Sequence, residues 1–207
     1  MRVSNEFVAH PRIRELYPEY LFTSHSIIRA SVPLMEAGRE RAAALSAEDP
    51  VAAALAPYYE QHIPEEQDHD EWLLDDLEVL GRTRTEILAR PPSPTVAALV
   101  GAQYYWIFHY HPVALLGYIA VLEGYPPSMA MIDDLAAGTG YTRDAFRTMV
   151  AHAELDPGHS EELDELLDEL PLTTDQSAAM GLSAMSTVRL LTRAFREVVD
   201  EAEALPP

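Results

Sequence analysis

Three residues of the stretch His152-Ala-Glu-Leu-Asp156-Pro-Gly-His159 are of types that hold transition metals: two imidazoles and a carboxylate. Their spacing, H-x3-D-x2-H, falls at i, i+4 and i+7 of a helix, within a stripe roughly 60° wide. They share one face and could grip one side of a metal site for which iron, manganese and zinc are all candidates. A second pair, Glu66-Gln-Asp-His69, reads E-x-x-H, the spacing with which helical bundles build carboxylate-bridged dimetal cores. Alone it is a weak signal in so acidic a chain, but together the two stretches specify a two-helix site. Glu65 faces His69 equally well at i, i+4, so either glutamate could serve.

Glu123 follows the apolar residues Val113, Leu115, Leu116, Ile119, Val121 and Leu122. A carboxylate buried there is costly unless it meets water or a cation. On a continuous helix His109 and His111 lie about 21 and 18 Å from Glu123, too far to share its centre. With Tyr104, Tyr105, Trp106 and Phe108 they line a pocket or simply pack. His62 shares a face with Glu66 and His69 but sits two turns from His69, about 10.5 Å away, which reads as outer lining or a channel mouth. On the first helix His25, Val32 and Glu36 fall on one side with Arg29 nearby. Glu36 is the candidate for an extra carboxylate ligand, and Arg29 for holding a substrate anion.

Helices must position these groups. A short helix and lead-in arm are expected over residues 1–18, then a long amphipathic helix from Glu19 to about Ser46, kinked at Pro33. A second, bent by Pro57 and Pro64, runs from about Asp49 to Leu80 and stops at Gly81. After a short helical piece, Pro91-Pro-Ser-Pro94 breaks the chain, and a third helix spans Thr95 to about Glu123 with Pro112 inside it. A shorter helix over 128–137 closes at Gly138-Thr-Gly140, and the next, from about Thr142, carries the H-x3-D-x2-H stretch. Thr173-Thr-Asp-Gln opens a last helix to about Ala204. With no strand alternation or repeat, the expectation is one all-α domain of six or seven helices. Pro157-Gly158 inside the ligand stretch predicts a bent, conditionally ordered helix there.

The 207 residues allow one domain with a substantial core; 48% are hydrophobic and 23% charged, a globular profile. No apolar run is long enough for a membrane span, and Met1-Arg-Val-Ser-Asn-Glu-Phe lacks an apolar leader, so a cytoplasmic protein is expected. With no cysteine, thiolate chemistry, disulfides and cysteine-held clusters are excluded. The net charge of −20 with 14 Lys plus Arg argues against nucleic acid and anionic membrane as partners. Glu161, Glu162, Asp164, Glu165, Asp168 and Glu169 read as solvated surface.

The order of a long helix, E-x-x-H followed by Asp-Glu-Trp-Leu-Leu, an aromatic third helix ending in Glu123-Gly-Tyr-Pro-Pro, and H-x3-D-x2-H resembles the haem-oxygenase-like diiron oxidases and oxygenases, or iron-containing redox enzymes. The likeness runs from about residue 20 to 200. It implies a haem-oxygenase-like bundle that holds two Fe(II) ions on Glu66, His69, Glu123, His152, Asp156 and His159, with Glu36 the least constrained counterpart. It further implies O2 as co-substrate and a small organic substrate, an amino acid, an amine or a fatty-acid-like molecule; the residues themselves offer Arg29, His62, Tyr105 and His109 as pocket candidates. The reading leaves room for a homodimer. The alternatives are a metal-free enzyme of the same fold, like thiaminase II or pyrroloquinoline quinone synthase, a haem-degrading oxygenase using His25, and a helical interaction protein binding a basic partner. Against the haem reading, Gly101 and Gly117 are too far apart to form the glycine cluster that lets backbone approach a haem.

Overall fold

The computed structural model describes residues 6–204; residues 1–5, most of the stretch read as lacking a leader, lie outside the described residues. The first long helix, α1 (Ile13–Ile28), begins inside the expected lead-in arm and takes Pro18 into its interior. Pro18 cannot donate to the carbonyl of Arg14, and the hydroxyl of Tyr141 donates to that carbonyl instead, at 3.0 Å. The chain turns at Arg29-Ala30 before α2 (Ser31–Leu45). The expected single helix kinked at Pro33 is therefore two helices. Pro33 falls in the first turn of α2, where a backbone N–H has no helical partner to lose.

Asp49 caps α3 (Pro50–Glu66) by accepting from the N–H groups of Val51 and Ala52 at 2.8 and 3.1 Å. Pro57 and Pro64 stay within α3, and the break comes later, at Gln67-Asp68, where Asp68 takes a left-handed φ of 68°. A separate helix, α4 (His69–Val79), follows, so the bent second helix is also two. Thr83 and Glu86 form a reciprocal capping box on α5 (Arg84–Ala89).

The third expected helix divides likewise into α6 (Pro94–His109), a 3-10 turn over Pro112–Ala114 and α7 (Leu115–Glu123). His111 makes this break: its Nδ1 accepts from the N–H of Val113 at 3.1 Å, and its Nε2 donates to Asp49 Oδ2 at 3.1 Å. It is a structural histidine. Next come α8 (Met129–Thr139), closed by Gly140 with φ of 66°, a 3-10 turn over Arg143–Phe146, and α9 (Arg147–Glu169). Helix α9 runs unbroken through Pro157-Gly158. The expected Thr173 and Gln176 capping pair opens α10 (Thr174–Ala204).

No strand occurs among the described residues. One apolar cluster joins α2, α3, α6 and α7 through Leu34, Leu55, Tyr59, Leu99 and Leu115; another joins α1, α4, α8 and the start of α9 through Leu16, Tyr17, Leu74, Leu77, Ile132 and Phe146. Helix α7 is apolar nearly all round, as a central helix must be, and packs against both α9 and α10. Gly117 allows the α10 contact: a Cβ there would lie 2.2 Å from the carbonyl oxygen of Met180. Helix α9 also packs against α4, which brings the two stretches of candidate ligands together.

Candidate metal centre

Four helices deliver the candidate side chains. Glu66 is the last residue of α3, His69 the first of α4 and Glu123 the last of α7, while His152, Asp156 and His159 project from the middle of α9. The α3–α4 turn and the end of α7 thus present donors that a continuous helix would not. All six converge with His62 and Glu65. Glu66 Oε2 lies 3.3 Å from His69 Nδ1, and Glu66 Oε1 lies 3.6 Å from His159 Nδ1. His159 Nδ1 is also 4.0 Å from Glu123 Oε2. The rings of His69 and His152 meet edge to face with centroids 4.9 Å apart. His152 Nδ1 donates to the carbonyl of Thr148 at 2.8 Å, which fixes the tautomer that leaves Nε2 open to a metal.

Buried polar atoms at this centre lack protein partners. His69 Nδ1, His159 Nδ1, Glu123 Oε2 and Asp156 Oδ1 are all buried without a hydrogen bond; His69 Nδ1 is close to Glu66, but the angle is wrong for one. Such atoms cost roughly 1–3 kcal/mol each unless something satisfies them. A set of carboxylate oxygens and imidazole nitrogens fits divalent iron, manganese or zinc without any thiolate.

Burial and mutual charge shift the groups of this cluster in both directions. Burial, with Glu123 and Glu66 adding repulsion, pushes the Asp156 carboxyl up to about 7. Burial also raises Glu123, although His62 opposes it. Burial acts most strongly on Glu66, to raise it, but the imidazoles of His69, His62 and His152 together hold it below its ordinary value. For His62 burial opposes the charge, yet Glu123, Glu66 and Glu65 bring its pKa up to about 9. His152 is lowered by burial despite its bond to Thr148.

Not every expected site residue comes to the centre. Glu36 and Arg29 are exposed on and just before α2, and Tyr105, 62% exposed, stacks on the exposed His109 at the surface of α6. His62 does come in, at 3.2 Å from both Glu65 and Glu123. Distance along one helix from His69 hid this, because its partner Glu123 arrives on a different helix. The hydroxyls of Tyr58 and Tyr118 are buried without partners, and Tyr58 stacks on His62 with ring centroids 5.4 Å apart. His25 is buried with neither ring nitrogen bonded. Of the two glycines weighed for a haem, Gly101 has open space around it and Gly117 is filled by α10. On the α4–α9 side, a cleft of about 240 Å3 is lined by Trp72, Asp75, Arg147 and Ala151. Trp72 separates it from the imidazoles, its ring centroid 4.1 Å from that of His69 and 6.1 Å from that of His152.

The arrangement is a haem-oxygenase-like helical bundle. A domain of unknown function with that fold from Shewanella denitrificans superposes with a TM-score of 0.81 at 20% identity, over 97% of this chain and 84% of that one. A TenA homolog from Pseudomonas syringae gives 0.71 at 11% identity, covering 96% and 88%. A CADD-like protein of unknown function from Nostoc punctiforme gives 0.67 at 14%, covering 97% and 95%. Residues 41–191 match the profile of the iron-containing redox enzymes, and the chain belongs to that family. No protein of curated function matches it significantly. Among the described residues no helix is long and apolar enough to cross a membrane.

Proposed function

We propose that the protein is a non-haem diiron oxidase or oxygenase acting on a small organic substrate. The observation that carries this is the convergence of three carboxylates and three imidazoles from four helices, with four of their buried polar atoms unsatisfied. Glu66, His69, Glu123, His152, Asp156 and His159 would hold two Fe(II) ions, whose charge the three carboxylates largely offset. Bound iron would supply the binding and reduction of O2, chemistry that no side chain of this chain offers.

The chain's own part is to orient and to exclude water. Thr148 fixes His152 through Nδ1, and Glu66 faces an imidazole with each oxygen. Trp72 caps the imidazole pair, and the cleft outside it is the substrate route we favour. Arg147 and Asp75 at its wall are paired, with each other at 3.9 Å and with Asp76 and Arg84 beside them.

The test is iron stoichiometry and O2 uptake in anaerobically reconstituted protein, wild type beside His152→Ala. Two irons with O2 consumption in the wild type, both diminished in the variant, are expected. Negligible iron in the wild type would sink the reading. The fold likeness to a TenA homolog keeps metal-free chemistry in the same bundle as the second reading, and that outcome would select it.

A further inference from the structure

His62 lies outside the six residues of the dimetal reading, yet it is the most completely engaged imidazole at the centre. It is buried, with Nδ1 3.2 Å from Glu65 Oε2 and Nε2 3.2 Å from Glu123 Oε1. A neutral imidazole carries one N–H, so it can donate to only one of two carboxylates. The other nitrogen then points a lone pair at an anion. A buried ring placed this way requires a positive charge beside it, either a second proton or a metal ion.

Two groups of three donors include this ring, one with Glu66 and Glu123 and one with Glu65 and His159, and the first has no exposed member. Nε2 is the ring atom that faces Glu123 in that group, and one donor atom each from His62, Glu66 and Glu123 lie within 4.8 Å of one another. The ring of His159 meets that of His62 edge to face at 4.8 Å between centroids, much as His152 meets His69 at 4.9 Å. Four imidazoles therefore form two pairs. Glu66 stands between them, with Oε2 toward His69 and Oε1 toward His159. Unsatisfied buried atoms occur on both sides: His69 Nδ1 beside one pair, His159 Nδ1 and Glu123 Oε2 beside the other.

We propose that His62 Nε2 is a metal ligand, sharing an ion with Glu66, Glu123 and His159, while Glu65 orients the ring by accepting from Nδ1. The second ion belongs to His69, His152 and Asp156, with Glu66 between the two. This deepens the dimetal reading and rests on it. It also divides the adjacent glutamates: Glu66 would serve both ions and Glu65 would orient the ring, consistent with the burial of Glu66 and the exposure of Glu65.

Anaerobic titration of the full metal-free chain with Fe(II), and with Co(II) as a spectroscopic probe, tests the assignment. The wild type takes up two ions. His62→Ala loses more than ~100-fold in affinity for one of them, beyond the 10–100-fold that removal of an outer partner costs, whereas Glu65→Gln stays within that range. His62→Glu regains the second ion and alters the visible Co(II) bands of that site. Should His62→Ala fail to fold, His62→Gln carries the same expectation, its melt in the absence of metal showing that the bundle is intact. A variant that binds two ions with less than ~100-fold change overturns the role of His62 and leaves the dimetal reading standing. A wild type that binds none overturns both.

Discussion

Asp76, wholly buried on α4, accepts a hydrogen bond from the backbone N–H of Thr148, the second residue of α9, at 3.0 Å. The carboxylate caps the positive end of α9, and the carbonyl of the same Thr148 holds His152. Burial raises the Asp76 carboxyl, opposed by Thr148 and by Arg147, whose Nε lies 3.5 Å from Oδ1. The helix that carries His69 therefore also aims His152.

Asp76→Ala should lower stability by roughly 2 kcal/mol through the lost cap and the buried N–H left without a partner. For a chain of this size that is a fall in Tm of about 4–8 °C. Affinity for added Fe(II) should drop as well, because His152 loses its support, while Asp76→Asn keeps an acceptor and recovers most of both. Melting curves and titration of the two variants would show it; an Asp76→Ala protein with wild-type metal affinity would disconnect Asp76 from the centre.

The metal-free protein should lose stability as pH rises. Asp156 is raised from 3.8 to about 7 and His62 from 6.5 to about 9, so the folded chain holds both protons more tightly than the unfolded chain. Their contribution is complete below the unfolded values and is lost as pH climbs through the folded ones. Through these two groups Tm of the metal-free chain should fall from about pH 4 to pH 9, and His62→Gln should flatten the part above 6.5. Saturating Fe(II) replaces those protons, so its stabilisation, about 2.7 kcal/mol at one hundred times Kd, should grow over the same range. A pH-independent gap between metal-free and loaded protein would contradict this.

Two glycines should respond oppositely to alanine. At Gly117 the new methyl would collide with the backbone of Met180 and Ala184, so α7 and α10 must separate, at a cost of about 3 kcal/mol or more. Gly101 is exposed on α6 with nothing within 4 Å of a Cβ, and alanine there should stabilise by about 0.5–1 kcal/mol. Denaturant titration of both proteins measures the difference directly.

Asp68 holds a left-handed backbone at the turn between Glu66 and His69. Asp68→Gly should be neutral or mildly stabilising, since glycine adopts that conformation freely. Asp68→Val should cost roughly 1–2 kcal/mol and weaken metal binding, because a β-branched residue resists φ above zero. Equal metal affinity in the two variants would show that this turn does not set the spacing of the pair.

The helical class and the convergence of two ligand stretches were legible because apolar periodicity and side-chain spacing are local properties of the chain. The helix breaks were not. Pro33 and Pro112 marked two of them but sit just after each break, where proline is tolerated; Pro57 and Pro64 marked none, and Asp68 carries no strong turn signal. His62 was placed on the pocket side because a continuous helix separates it from His69. Its partners Glu123 and His159 come from α7 and α9, and no spacing within one helix reveals that. Tyr105 and His109 looked like pocket residues from composition, but α6 ends there at the surface.

The centre has two unlike jaws. His152, Asp156 and His159 are mid-span residues of one helix and move as a set, while Glu66, His69 and Glu123 each end or begin a helix and can shift separately with the turn beside them. A metal's ionic radius changes with oxidation state, and a cage of fixed donors would resist that change. On the dimetal reading one jaw would set the template and the other three donors would follow the ion, so the fold would tolerate a redox cycle without repacking its core.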